Sequence, residues 1–211
     1  MKNAKADNHQ LLRTQVYAYL REALRTGKMK AGSFVSINRM VEALGMSRTP
    51  LRDALLQLQT EGFVTFLPQR GIRINELSDE DLVNIYEMLG ALDSRALLSV
   101  CDRIGPREVS KMKRINQHML RVIDKKEFNR YFELNRNFHN VYLDLSTNTP
   151  LLNQVNILRQ RLFEFGAKGD WLEKVPRLNF EEHLIMIDLI ENNRCREAAD
   201  FMRDVHCAIN W

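Results

Sequence analysis

"LGMSRTPLRDALLQLQTEGFVTFLPQRGIRI", residues 44–74, places two cations, two hydroxyls and a proline at the start of one helical run. Leu51, Leu55 and Leu58 recur at helical spacing and point one way, which leaves Arg48, Arg52 and Gln59 toward the other side. Pro50 falls in the first turn, where a missing N–H costs nothing because it would lack a helical partner there. Gly62 closes the helix, and "FVTFL" and "GIRI" are two short β-prone runs around "PQR", the pattern of a hairpin. A helix N-terminus presents unpaired N–H groups and partial positive charge, so it attracts phosphate. Ser47 and Thr49 add hydroxyl donors, and Arg48 and Arg52, four apart, project from one face as a groove-reading surface. Arg70 and Gly71 form a small basic hairpin tip, suited to a minor groove or a phosphate row; glycine there allows close backbone approach or a positive φ. The alternative is a set of solvated cations on a surface helix.

Upstream, residues 10–25 carry Leu12, Val16, Tyr19, Leu20 and Leu24 at helical spacing, which predicts a first helix ending near Gly27. "GKMKAGSFVS" is turn-like, and Ser36 is placed to cap a short second helix, "INRMVEAL", that stops at Gly45. Helix, helix, turn, helix and hairpin make a winged helix-turn-helix over residues 1–75. That third of the chain holds 12 Lys and Arg against 5 Asp and Glu, and the remainder 19 against 22. A basic head on a mildly acidic body suggests a polyanion-binding module joined to one with another task.

From Ser78 onward the pattern becomes wholly helical. Six segments are predicted, at 79–103, 106–124, 127–146, 150–166, 176–192 and 194–210, with Pro106 and Pro150 at tolerated first-turn positions. The fold class is mainly α: a winged helix-turn-helix followed by an all-α six-helix antiparallel bundle over 76–211. No window approaches the apolar length of a membrane span and the polar start lacks a secretory apolar run, so a cytoplasmic protein is the default. Cys101, Cys195 and Cys207 form no C-x-x-C pair, and buried free thiols are expected.

Within the bundle, Asn135 and His139 lie on the stripe formed by Phe128, Tyr131, Phe132, Phe138, Val141, Tyr142 and Leu145. They therefore face an interior in which a polar group needs a partner. His183 sits between Phe180 and Leu184 on the buried side, and His206 neighbours Met202 and Ile209. A lone inward histidine is usually a hydrogen-bonded core residue. Three on separate helices, with one amide, also suit zinc, nickel, manganese or iron, with an open position for a small carboxylate. Arg159 borders the stripe of Leu152, Val155, Leu158 and Leu162 and reads either as an anchor for an anionic effector or as a surface cation. Asp93, on the apolar side of its helix, orients a histidine, helps hold the effector, or makes a structural hydrogen bond.

The run "LGMSRTPLRDALLQLQTEGFV...PQRGIRI" resembles the signature of the GntR family of bacterial transcription regulators. By that resemblance Ser47, Arg48, Thr49 and Arg52 contact an operator, with Arg70 and Gly71 at the wing tip; where many relatives have arginine in the second helix, this chain has Asn38, with Arg39 beside it. Residues 78–211 resemble the FCD ligand-binding domain of the FadR-like branch, on "NFHNVYLDLSTNTPLL", "EEHLIMIDLIENNRCREAADFM" and a histidine in the last helix. Many relatives hold a divalent metal through an aspartate and three histidines, which map onto Asn135, His139, His183 and His206. Asparagine stands here in place of the aspartate. Relatives also often pair a glutamate in the first sensor helix with an arginine one turn earlier, where this chain has Asp93 and Leu89.

These features together predict a ligand-responsive transcription regulator, read as a repressor. It would bind a palindromic operator of double-stranded DNA as a homodimer, with affinity modulated by a small organic acid in the bundle, through a divalent metal. A bundle that only dimerises is the alternative. An enzyme is disfavoured, because the interior stripes offer one carboxylate, Asp93, and no Glu-x-x-His pair on facing helices.

Overall fold

The computed structural model describes residues 2–26, 28–165 and 171–208, and the chain divides into two compact units, Met1–Leu77 and Ser78–Trp211. In the first, helix α1 (Lys2–Arg25) is followed by strand β1 (Phe34–Val35), helices α2 (Ile37–Leu44) and α3 (Arg48–Thr60), and strands β2 (Val64–Leu67) and β3 (Gly71–Ile74). The hairpin expected from the sequence is β2–β3. Part of the segment that reads as a turn instead supplies β1, and the antiparallel sheet has the order β1-β3-β2.

The core of this unit is fixed by the leucines of α3. Leu51, Leu55 and Leu58 are buried with Val16 and Leu20 of α1, Met40 of α2 and Ile72 and Ile74 of β3. Helix α2 ends at Gly45, whose left-handed φ of 62° turns the chain toward α3. After α3, Gly62 takes φ 83° and the Phe63 N–H donates to the Leu58 carbonyl at 2.9 Å, which ends the helix and aims the chain into β2. Gln59 Oε1 accepts from the Phe66 N–H at 2.7 Å and fastens α3 to the hairpin. Ser36 precedes α2, but its side chain makes no capping bond.

The second unit holds α4 (Asp79–Val100), a 3₁₀ turn (Cys101–Arg103), α5 (Pro106–Asp124), α6 (Phe128–Leu143), α7 (Thr149–Phe165), α8 (Trp171–Glu191) and α9 (Cys195–Phe201). Helix α4 starts in a full capping box: Ser78 Oγ accepts from the Asp81 N–H at 3.1 Å, and Asp81 Oδ2 accepts from the Ser78 N–H at 3.0 Å. Helix α4 packs against α6, α7 and α9, and α5 lies against α6 and α8.

Three expectations need correction. The helix predicted from 176 begins at Trp171, so Pro176 lies inside it rather than at its start. The helix predicted over 194–210 is α9 followed by a π segment, Met202–His206, and Ile209 lies outside the described residues. Cys101 and Cys195 are bonded, with S–S 2.01 Å and Cα–Cα 5.8 Å, rather than free; Cys207 is the buried free thiol. Their 94-residue separation hides the pair from any local motif.

Candidate DNA-reading surface and candidate metal centre

In the first unit, Ser47, Arg48, Thr49 and Arg52 are all exposed at the N-terminal half of α3, as are Asn38 and Arg39 of α2 and Arg70 at the hairpin tip. The buried leucines of α3 force this arrangement, since the opposite face of the helix has nowhere else to go. Arg52 is not free to sweep: its guanidinium carbon lies 5.9 Å from the centre of the Phe66 ring, within reach of a cation–π contact. Gly71 has φ 99°, and a Cβ there would lie 2.3 Å from the Val35 carbonyl oxygen. The glycine is thus required by the β1–β3 approach inside the unit, before any question of DNA arises.

In the second unit, α6, α8 and the π segment after α9 bring His139, His183 and His206 together, with one ring nitrogen of each within 4.8 Å of the others. His139 and His183 are buried; His206 is half-buried. Each Nδ1 has a partner. His206 Nδ1 meets Glu182 Oε2 at 2.7 Å, His183 Nδ1 meets Asn116 Oδ1 at 3.2 Å, and His139 Nδ1 meets the Tyr142 hydroxyl at 3.0 Å. Asn116 Nδ2 donates to the Phe180 carbonyl at 3.0 Å, so its Oδ1 must be the atom that accepts from His183. That fixes a proton on His183 Nδ1, and Glu182 does the same for His206 Nδ1. Their Nε2 atoms are left facing the cluster.

His206 Nε2 lies 3.3 Å from His139 Nε2, while His183 Nε2 and Asn135 Oδ1 are buried without a hydrogen-bond partner. Burial, together with the Arg159 charge and the neighbouring imidazoles, holds His139 well below the ordinary histidine value. Burial, His206 and Arg159 do the same for His183. Neutral imidazoles with inward lone pairs are what a metal requires of histidine.

A cavity of about 40 Å³ adjoins the cluster, lined by Asp93, Asn135, His139, Arg159 and His206 among others. Arg159 is buried, which rules out the surface-cation reading, and its Nη2 donates to Asp93 Oδ2 at 2.6 Å. The two residues expected to meet the effector thus meet each other, leaving Asp93 Oδ1 without a partner. Burial raises the Asp93 carboxyl above its ordinary value, and Arg159 opposes part of that rise.

Sequence reasoning missed the groups that orient the rings. Glu182 is a second buried carboxylate beside Asp93, and Asn116 is fully buried on α5. Nothing local marks either one, because each partner lies on another helix or several turns away. Leu184, expected on the buried side with His183, is 49% exposed, while His183 instead stacks on Phe138 with ring centres 3.7 Å apart.

The family described as bacterial regulatory proteins, gntR family, matches residues 12–74, and the FCD domain matches residues 84–206. The chain belongs to the GntR family, with an FCD domain. It is a DNA-binding transcription regulator and not an enzyme. Similar curated proteins include the Nta operon transcriptional regulator of Aminobacter aminovorans, 29% identical over 82% of this chain and 80% of that one. The HTH-type regulator McbR of Escherichia coli is 25% identical over 83% of this chain and 79% of its own. The solved structure of E. coli McbR/YncC shares the fold, with a TM-score of 0.68 at 20% identity over 92% of this chain and 93% of that one. Among the described residues no helix is long and apolar enough to cross a membrane.

Proposed function

We propose that this GntR-family regulator is a cytoplasmic repressor that reads a palindromic operator as a homodimer. The unit Met1–Leu77 is the DNA-binding domain and Ser78–Trp211 the effector-binding and dimerisation domain. Arg48 and Arg52 reach base edges from the N-terminal half of α3, Ser47 and Thr49 meet phosphate, and Arg39, Asn38, Arg70 and Gly71 flank the duplex backbone. Exposed apolar side chains on α4, Met88 and Leu98, fit a bundle surface that pairs with a second copy.

The bundle holds a divalent metal through His139, His183 and His206, with Asn135 Oδ1 as a neutral fourth donor. The observation that carries this reading is the convergence of one ring nitrogen from each of three histidines within 4.8 Å, with every Nδ1 already partnered. Tetrahedral zinc with bonds of about 2.0–2.1 Å separates its nitrogens by about 3.3 Å, the spacing of His139 and His206 here. When bound, the ion supplies a Lewis-acidic point for a carboxylate oxygen of a small organic acid. The cavity has room for about three waters, so an acid of a few carbons fits after displacing them. The effector shifts the spacing or mobility of the heads, and so operator affinity, only by binding the two resulting arrangements unequally.

The test is elemental analysis of protein purified without a metal column, comparing wild type with His139→Ala and Asn116→Ala. A stoichiometric metal lost in His139→Ala and bound about 10–100-fold more weakly in Asn116→Ala is expected, since Asn116 acts by orienting His183. No metal in wild type after incubation with zinc, nickel or manganese removes the metal from this reading and leaves the acid to be held by hydrogen bonds alone.

A further inference from the structure

We infer that Cys101 and Cys195 are a reversible redox modification site, opened and closed by exchange with a low-molecular-weight disulfide, which sets how firmly the segment bearing His206 is held. Cys101 is buried in the 3₁₀ turn that ends α4, and Cys195 is the first residue of α9 and partly exposed. The seven residues of α9 run straight into the π segment that ends at His206. A helix of that length does not hold itself in water, so its place depends on what it is fastened to. Its buried side chains, Ala198 and Ala199, are small and bury little apolar area.

Helix α9 and the π segment pack along α4, and two points mark the ends of that contact. At one end lies the disulfide. At the other, Gly90 lets the backbones close up, since a Cβ there would stand 3.0 Å from Cys207 Cβ and 3.2 Å from the Arg203 carbonyl oxygen. His206 lies between Arg203 and Cys207 of the second point, and Asp93 of α4 lies between Gly90 and Cys101 in the sequence. Opening the bond removes the covalent restraint at the start of the element whose end supplies one of the three ring nitrogens, and leaves that start held by packing on α4 and α8.

The exchange is balanced without any group beyond the oxidant. The Cys195 thiolate, the more exposed of the two, attacks glutathione disulfide and expels one glutathione thiolate. The Cys101 thiolate then attacks the Cys195 sulfur of the mixed disulfide and expels the second. Two protein thiols are oxidised, one glutathione disulfide is reduced, and the two thiol protons pass to the released thiolates. In the compartment proposed for this regulator thiols are kept reduced, and a disulfide there is a sensor rather than a permanent staple.

The experiment equilibrates the full chain, and a Cys101→Ser, Cys195→Ser double variant, in buffers with glutathione disulfide or reduced glutathione in excess. Thiols are then alkylated, the cross-linked peptide is measured by mass spectrometry, and desalted samples are compared by amide exchange over 195–206 and by zinc competition. The expected result is a cross-link that forms in the first buffer and opens in the second. Opening should bring about tenfold faster exchange over 195–206 and about fivefold weaker zinc binding. The double variant should match the reduced protein in both buffers. A bond that fails to form with excess disulfide, that survives excess thiol, or whose opening leaves exchange over 195–206 unchanged overturns the proposal. Equal zinc affinity in the two states overturns the link to His206. The link to zinc rests on the metal reading above; if neither state binds zinc, that reading fails, and amide exchange still decides this one.

Discussion

The head of this regulator places its polar chemistry on the outside of its own fold, and the bundle places its polar chemistry in its own interior. In the head, Leu51, Leu55 and Leu58 of α3 face inward and the cations Arg48 and Arg52 stand outside, so the groups that hold the fold and those proposed to read DNA lie on different faces of one helix. In the bundle, His139, His183, Asp93 and Arg159 are themselves part of the buried interior. Stability and the proposed sensing are then carried by the same atoms. A head of the first kind can change its DNA preference cheaply, whereas a bundle of the second kind cannot change its site without repacking.

If that contrast is right, substitutions in the two units should differ in what they damage. The largest effect is expected for Asp93→Ala, which leaves the Arg159 charge buried without its 2.6 Å partner. Chemical denaturation should show a loss of about 3–5 kcal/mol, and Arg159→Met made alongside it should recover much of that loss. A loss below about 1 kcal/mol would show that water reaches the pair and that the interior is wetter than described.

Next in size is Arg48→Ala with Arg52→Ala. Operator affinity in a gel-shift or anisotropy titration should fall by about 1–3 kcal/mol for each residue that makes a bidentate base contact, with a shallower salt dependence. The melting temperature should stay within about 2 °C of wild type, because exposed cations carry little folding energy. A large drop in melting temperature would mean that these residues serve the head's fold.

Acid should weaken the metal-free bundle through the two buried imidazoles. His139 and His183 are held well below the usual histidine value, so as pH falls the unfolded chain takes up protons that the folded chain refuses. The stability is fully present above the unfolded value of about 6.5 and is lost below it, by about 2–3 kcal/mol at pH 5.5 for the two together. Urea titrations at pH 7.5 and 5.5 test this, and replacing both histidines by glutamine should flatten the difference. The smallest effect is expected at the start of the second unit, where Ser78→Ala removes a cap and should cost about 1 kcal/mol of its stability.

Much of the head was legible from spacing. The leucines of α3 at i, i+4 and i+7 and the glycines at 45, 62 and 71 punctuate short elements, each of which contacts its neighbours in sequence. The strand β1 escaped notice because two residues carry no period; only pairing Phe34 with Arg73 and Val35 with Ile72 makes them a strand. In the bundle, the inward placement of Asn135 and His139 followed from one helix's stripe, and the family signature aligned them with His183 and His206. The partners that make the cluster chemically specific did not follow. Asn116 acts on a histidine 67 residues away and Tyr142 on one 3 residues away, and neither spacing distinguishes an orienting group from any other polar residue.

By itself the sequence determined the periodicities, and with them a winged head, a helical body, a basic face on one helix and a set of inward polar side chains. These are properties of single elements, set by backbone repeat and by the need to bury apolar surface. The tertiary structure decided which buried groups satisfy one another: Arg159 with Asp93, His206 with Glu182, His183 with Asn116, and Cys101 with Cys195. A buried polar atom is satisfied by whatever donor or acceptor the packing brings within about 3 Å. That distance is fixed by how helices cross, and no local run of residues encodes it.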